Sequence, residues 1–179
     1  GSQWLTGGSF PYDYSDVLTR VDMDVGTEAA LAVTGFWNRE SVRLTDVPLE
    51  GEIADWGNRA ASMRFRNALG SGVMEVTAAV GDYEARLPLD AGVVSDGWAR
   101  RVRFAIDVSR ARRGVRLQYG WSFESLALEY EARYLGMAPN TSFFATRADG
   151  AVMGSYVEVG WSPAKRWKIR GGLRGDVFS

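Results

Sequence analysis

Neither cysteine nor histidine occurs anywhere in the 179 residues. Without thiols the chain can build no disulfide framework and no thiolate metal site. Without imidazole it lacks the commonest general base, the commonest metal ligand and the usual partner of a nucleophilic serine. The chain is therefore expected not to be an enzyme, with no catalytic residue, no metal site and no cofactor. Cationic excess is missing too: 21 Lys and Arg against 22 Asp and Glu leave a net charge of −1. A phosphate-binding surface needs a surplus of positive charge, so nucleic acid is excluded as a partner. No apolar run reaches the ~18 residues of a transmembrane helix, which does not touch a transmembrane barrel, whose strands need only alternate.

Glycine, at 21 residues, is plentiful, and tryptophan and tyrosine stand at 7 each. Both suit a β-rich protein in which glycine relieves crowding and amphipathic aromatics sit at an interface. The clearest pattern lies near the end, in GSYVEVGWSPAKRWKIRGGLRGDVFS. Met153, Ser155, Val157, Val159 and Trp161 share one side of an alternating run, with Gly154, Tyr156, Glu158 and Gly160 on the other. After the turn signal Ser162-Pro163-Ala164-Lys165, Trp167, Ile169 and Leu173 oppose Lys168, Arg170, Gly172 and Arg174. Period two with turn residues between is a hairpin.

The same unit recurs along the chain. Val17 to Val25 alternates with Leu18, Arg20, Asp22 and Asp24, turns at Gly26-Thr27 and returns through Leu31, Val33 and Trp37. Met63 and Phe65, alternating with Arg64 and Arg66, turn at Gly70-Ser71-Gly72 into Met74, Val76 and Val80. Val102 to Val108 passes through the basic turn Arg110-Ala111-Arg112-Arg113-Gly114 into Leu117, Tyr119, Trp121 and Phe123. Around Glu124-Ser125 the apolar phase slips by one, which predicts a β-bulge. Three polar connections, Glu40 to Asp55, Glu84 to Gly97 and Leu135 to Gly150, read as long loops. Gly1-Ser2 reads as a tag remnant, residues 1–16 as a lead-in segment and residues 17–179 as a single domain.

Each hairpin carries charge on one face and hydrocarbon on the other. The solvent that rewards such an inversion is lipid. The expected fold is therefore all-β: an antiparallel up-and-down transmembrane β-barrel of about eight strands in four hairpins, with short periplasmic turns and long outer loops. Its lumen-facing candidates are Arg20, Asp22, Asp24, Arg64, Glu75, Arg101, Arg103, Asp107, Glu129, Glu131, Glu158, Lys168, Arg170 and Arg174. Trp37, Trp56, Tyr83, Trp98 and Tyr134 toward the loop ends, with Trp161 and Trp167 beside a short turn, are the candidates for two interfacial aromatic belts. Arg110, Arg112, Arg113, Lys165 and Arg166 make two turns basic, facing lipid phosphates or water. Asp46, Glu50, Glu52 and Asp55 lack the spacing of a calcium loop and read as a solvated acidic loop. The alternation alone does not say which face is inward. A small eight-stranded barrel with a structural or surface-interaction role, and a soluble β-barrel binding an apolar ligand, remain open beside the lipid-facing reading.

Three phrases, LAVTGFWNRE, WGNRAASMRFRNALGSGVMEVTAAVGDYE and YVEVGWSPAKRWKIRGGLRGDVFS, resemble consecutive barrel segments of TonB-dependent outer-membrane receptors. The last is the most specific: an aromatic strand, a short proline-containing turn, then a strand bearing Gly-Leu-Arg ahead of an aromatic. The resemblance covers most of Val17 to Ser179. It implies a place in the bacterial outer membrane, contact with outer-membrane lipid, and a role in taking up a small-molecule ligand such as a metal chelate or an oligosaccharide. It also implies a barrel of about twenty-two strands, so the chain is expected to be either a piece of such a receptor or a small barrel built from receptor-like hairpins.

Overall fold

A computed structural model describes residues 12–43, 53–90, 92–134, 142–164 and 166–179. Every element in it is a strand: β1 (Tyr12–Val25), β2 (Ala29–Arg43), β3 (Ile53–Leu69), β4 (Gly72–Asp90), β5 (Val93–Arg112), β6 (Val115–Tyr134), β7 (Ser142–Ala164) and β8 (Trp167–Phe178). They form one antiparallel sheet in chain order. Each strand touches only its sequence neighbours, and β1 and β8 do not meet. The sheet is open, so these strands do not close on themselves as a complete eight-stranded barrel.

The sheet is a single layer with almost no core. Among the described residues only Ala54, Val94, Ala105, Val108 and Ala132 are buried apolar side chains. The accessible surface is 13220 Å², against about 8,600 Å² for a soluble globular monomer of this mass. Val21 and Val157 are 49% and 41% exposed rather than gathered in a dry interior. The charged face is equally open, with the Arg20 and Asp22 side chains about three-fifths exposed.

The strands are longer than the alternation suggests. Glu84 to Gly97, expected as a long loop, is mostly strand: β4 runs to Asp90 and β5 starts at Val93, with Gly92 at φ 79° just before it. Likewise β7 begins at Ser142, within the expected loop from Leu135 to Gly150, and β1 begins at Tyr12, ahead of Val17. At ~3.3 Å per residue, the 19 to 23 residues of β4 to β7 run about 63–76 Å. A tilted strand needs only ~9–11 residues to cross hydrocarbon. These four strands outreach a bilayer by a wide margin.

No bulge interrupts Glu124-Ser125: Arg103↔Glu124 and Val102↔Ser125 on one side, Glu124↔Val152 and Ser125↔Ala151 on the other, are in unbroken register. Irregularities fall near strand ends instead, between Pro88 and Asp90, between Ala132 and Arg133, and between Trp161 and Ala164. The slip in the sequence is therefore a change of polarity on an undisturbed backbone.

The turn between β5 and β6 places both Arg113 (φ 49°) and Gly114 (φ 81°) in the left-handed region. That is the primed geometry whose twist matches two-residue hairpins, and Asn-Gly is its preferred pair. A side chain such as arginine is disfavoured there. Arg113→Asn is expected to stabilise the folded protein by about 0.5–1 kcal/mol, measured as a higher urea midpoint with an unchanged slope.

Candidate functional site: two faces that exchange polarity with height

Register assigns every strand residue to one of two faces. One face carries Val21, Val33, Met63, Ala78, Phe104, Phe123, Met153 and Val177 in a single cross-strand row. The next row toward the short turns is Met23, Leu31, Phe65, Val76, Ile106, Trp121, Ser155 and Gly175. Together they make a continuous apolar band, in which Phe104 and Trp121 pack with ring centroids 6.0 Å apart.

Farther from the short turns, the same face becomes ionic. Arg39 approaches Asp55 at 3.7 Å and Arg59 approaches Glu84 at 3.8 Å. Arg100 Nε donates to Asp82 at 2.6 Å, and Asp96 takes Arg133 at 2.8 Å with Arg86 at 4.0 Å. The Arg100 guanidinium holds the Asp82 carboxyl below the usual carboxylate range. All of these pairs are substantially exposed, so each contributes little to stability. Their value is as markers: charge in such a row requires water. Asp46, Glu50 and Glu52 lie outside the described residues, and no cluster of acidic side chains among the described residues could hold a metal ion.

The opposite face does the reverse. Level with the apolar band it is charged or made of small residues. Arg20 is bidentate to Asp22 at 2.8 Å, and Arg64 lies 3.4 Å from Glu75. Arg101 meets Glu124 at 2.7 Å, Arg170 meets Glu158 at 3.2 Å, and Arg174 meets Asp176 at 2.9 Å. Tyr156 reaches over Gly120 and donates its hydroxyl to Asp107 at 2.6 Å. Only glycine leaves room for that ring, because a Cβ at Gly120 would lie 2.6 Å from both Tyr156 and Asp107.

Beyond those rows this face turns aromatic. Tyr12 stacks with Tyr14 at 6.5 Å and Tyr130 meets Phe144 edge-on at 5.8 Å; Trp56 and Tyr83 share the face. A polar chain runs beneath them: Tyr12 donates to Glu40 at 2.7 Å, Asn38 donates to Glu40 at 3.0 Å, and the Asn38 carbonyl oxygen accepts from the Asn58 backbone at 2.8 Å. Bonding to the Glu40 carboxylate pushes the Tyr12 phenol above its ordinary value.

Of the fourteen lumen candidates, Arg20, Asp22, Asp24, Arg64, Glu75, Arg101, Arg103, Asp107, Glu158, Arg170 and Arg174 share the charged face, and Lys168 joins them by alternation with Ile169. Glu129 and Glu131 do not: with no bulge to shift them, they fall on the face of Trp98 and Arg147, in its ionic rows. The aromatic set divides as well. Trp37, Trp98 and Trp161 lie on the apolar-band face, with Trp167 beside Trp161, whereas Trp56, Tyr83 and Tyr134 lie on the other. Those three face away from Trp37. Proximity to a strand end was a poor guide to them; parity along the strand separates them. The Tyr156–Asp107 contact and the Asn38 chain left no signal of their own in the sequence.

No protein-family model matches the sequence, and no curated protein does. Solved structures do match. The sheet superposes on the alcaligin outer-membrane receptor FauA of Bordetella pertussis with a TM-score of 0.76 at 12% identity, covering 94% of this chain and 28% of that one. The fold is that of an antiparallel sheet like those of outer-membrane barrels. The ferric yersiniabactin uptake receptor FyuA of Yersinia pestis gives 0.70 at 9% identity (93% of this chain, 30% of that one), and the copper transporter OprC gives 0.70 at 14% (92% and 28%). These are TonB-dependent receptor structures, transporters rather than enzymes. The chain spans about three-tenths of the length of each of these receptors.

Proposed function

We propose that this sheet is an arc of a bacterial outer-membrane transporter barrel, with its apolar band in lipid and its charged face lining the lumen. The observation that carries the reading is the exchange of polarity along unbroken strands. A band of hydrocarbon gives way to an ion-pair row on the same face, while the opposite face changes from charged to aromatic at the same height. A bilayer that ends partway up the strands accounts for both changes at once. The open edges support an arc rather than a complete barrel, since backbone groups in hydrocarbon need partners that only a closed sheet supplies.

On this reading Arg20, Asp22, Asp24, Arg64, Glu75, Arg101, Arg103, Asp107, Glu158, Lys168, Arg170 and Arg174 line the lumen. The ion-pair rows and aromatic rows stand outside the membrane, on the side of the long connections. The similar receptors carry names that speak of ferric yersiniabactin, alcaligin and copper. The role proposed here is accordingly the wall of an uptake pathway for a metal or metal chelate, without catalysis and with outer-membrane lipid as its surrounding partner.

The test uses the absence of native cysteine. Single cysteines at Val21, Val76, Ile106 and Val157, and at Thr77 and Ser109 on the other face, are spin-labelled in reconstituted membranes. The first four are expected to be relaxed by oxygen and the last two by a water-soluble nickel chelate. The opposite pattern, or nickel access everywhere, would sink the assignment of faces.

A further inference from the structure

The charged face has one hollow whose chemistry is not used up by its own residues. Its volume is about 300 Å³, and Thr34, Phe36, Ala60, Ser62, Ala79, Gly81, Arg101 and Arg103 line it. Thr34, Ser62, Ala79 and Arg103 follow one another in a single cross-strand row. At ~4.8 Å per strand, about 14 Å separates the Thr34 backbone from that of Arg103. The floor is kept low by alanine and glycine, and Phe36 closes one side.

The charges beside it do not balance. Glu124 stands directly across from Arg103, yet it is Arg101 that takes the Glu124 carboxylate, at 2.7 Å. Arg101 alone holds that carboxylate, and Arg103 has no ion-pair or hydrogen-bond partner among the described residues. Nor do the hydroxyls of Thr34 and Ser62, which face each other across β2 and β3. A free guanidinium at one end, hydroxyls at the other, an aromatic wall and a small-residue floor form a set of donors around an apolar surface.

We infer that this hollow is a subsite for a small carboxylate ligand with an apolar body. The carboxylate pairs with Arg103, the body lies against Phe36 and the Ala60–Ala79 floor, and the Thr34 and Ser62 hydroxyls take any polar group at the far end. A planar guanidinium matches a carboxylate in two-point geometry, which a neutral amide of the same shape cannot exploit. As a feature of the uptake pathway the subsite rests on the reading that the charged face lines the lumen.

The experiment titrates the protein, in detergent micelles, into 2-naphthoate and into neutral 2-naphthamide, following the fluorescence anisotropy of the naphthyl ring, a readout that the parent and every variant share. Saturable binding of the acid, at least tenfold tighter than the amide, is expected. Arg103→Gln and Phe36→Ala should each weaken it fivefold or more. Glu124→Gln, which frees Arg101, should tighten it severalfold, a gain that no loss of folding would imitate. Equal affinity for acid and amide, an unchanged affinity in Arg103→Gln, or a response to an acidic peptide but not to naphthoate would overturn the proposal. Thr77→Cys, outside the hollow, separates this failure from the other: if naphthoate binds yet lipid rather than an aqueous reagent reaches that cysteine, the site stands and the lumen assignment falls.

Discussion

Ile106→Arg should destabilise the membrane-folded protein by about 2–4 kcal/mol, the depth-dependent cost of a guanidinium on the lipid face of a barrel near the bilayer midplane. Ile106 sits among Val76 and Trp121 in the middle of the apolar band, with no acid beside it on that face. Gln118→Arg supplies the control. It lies on the charged face, directly across from Glu158, so the same side chain there meets water and a carboxylate and should stay within ~0.5 kcal/mol of the parent. Urea unfolding in lipid vesicles, read by tryptophan fluorescence, measures both. If the two substitutions cost the same, the faces are not in different solvents.

Gly120→Val is expected to cost more than a surface substitution usually does, about 2–4 kcal/mol. The reason is local and steric. A Cβ at this position would stand 2.6 Å from Tyr156 and Asp107 and 2.8 Å from the Ile106 carbonyl oxygen, which is backbone and cannot swing away. The Tyr156 ring would have to lift, leaving the Asp107 carboxylate without the hydroxyl now 2.6 Å from it. Tyr156→Phe isolates the hydrogen-bond part and should cost about 1–2 kcal/mol, since the acceptor is charged. In the double variant the two effects should fall well short of additive, because both remove the same contact. Additive losses in the same urea experiment would place the cost of valine in the backbone alone.

Strand type and hairpin order were legible because alternation is written directly into residues such as Val17 to Val25 and Met153 to Trp161. The short-turn ends were legible for the same reason: Gly26, Gly70 and Gly114 stand where a chain must reverse tightly. What misled was the assumption of one solvent per face. Leu126, Leu128 and Tyr130 continue an apolar series one residue out of phase, and a bulge is the local way to rescue such a series. In the structure the backbone stays in register and the surroundings change instead, so Glu129 and Glu131 share a face with Trp98 and Arg147. The same assumption shortened the strands. Glu84 to Gly97 is polar on the face that would otherwise meet lipid, which imitates a loop when only composition is weighed. The open edges had no signature, because pairing between distant strands leaves no periodic trace.

Every strand here is held solely by the one before it and the one after it. Among the described residues nothing braces the sheet from above or below, so strain introduced in one ribbon has a single route outward, sideways through the ladder. The outermost ribbons, anchored along one flank, are then the first to let go. Persistence of the whole rests with the long middle ribbons, much as a fence depends on its central posts.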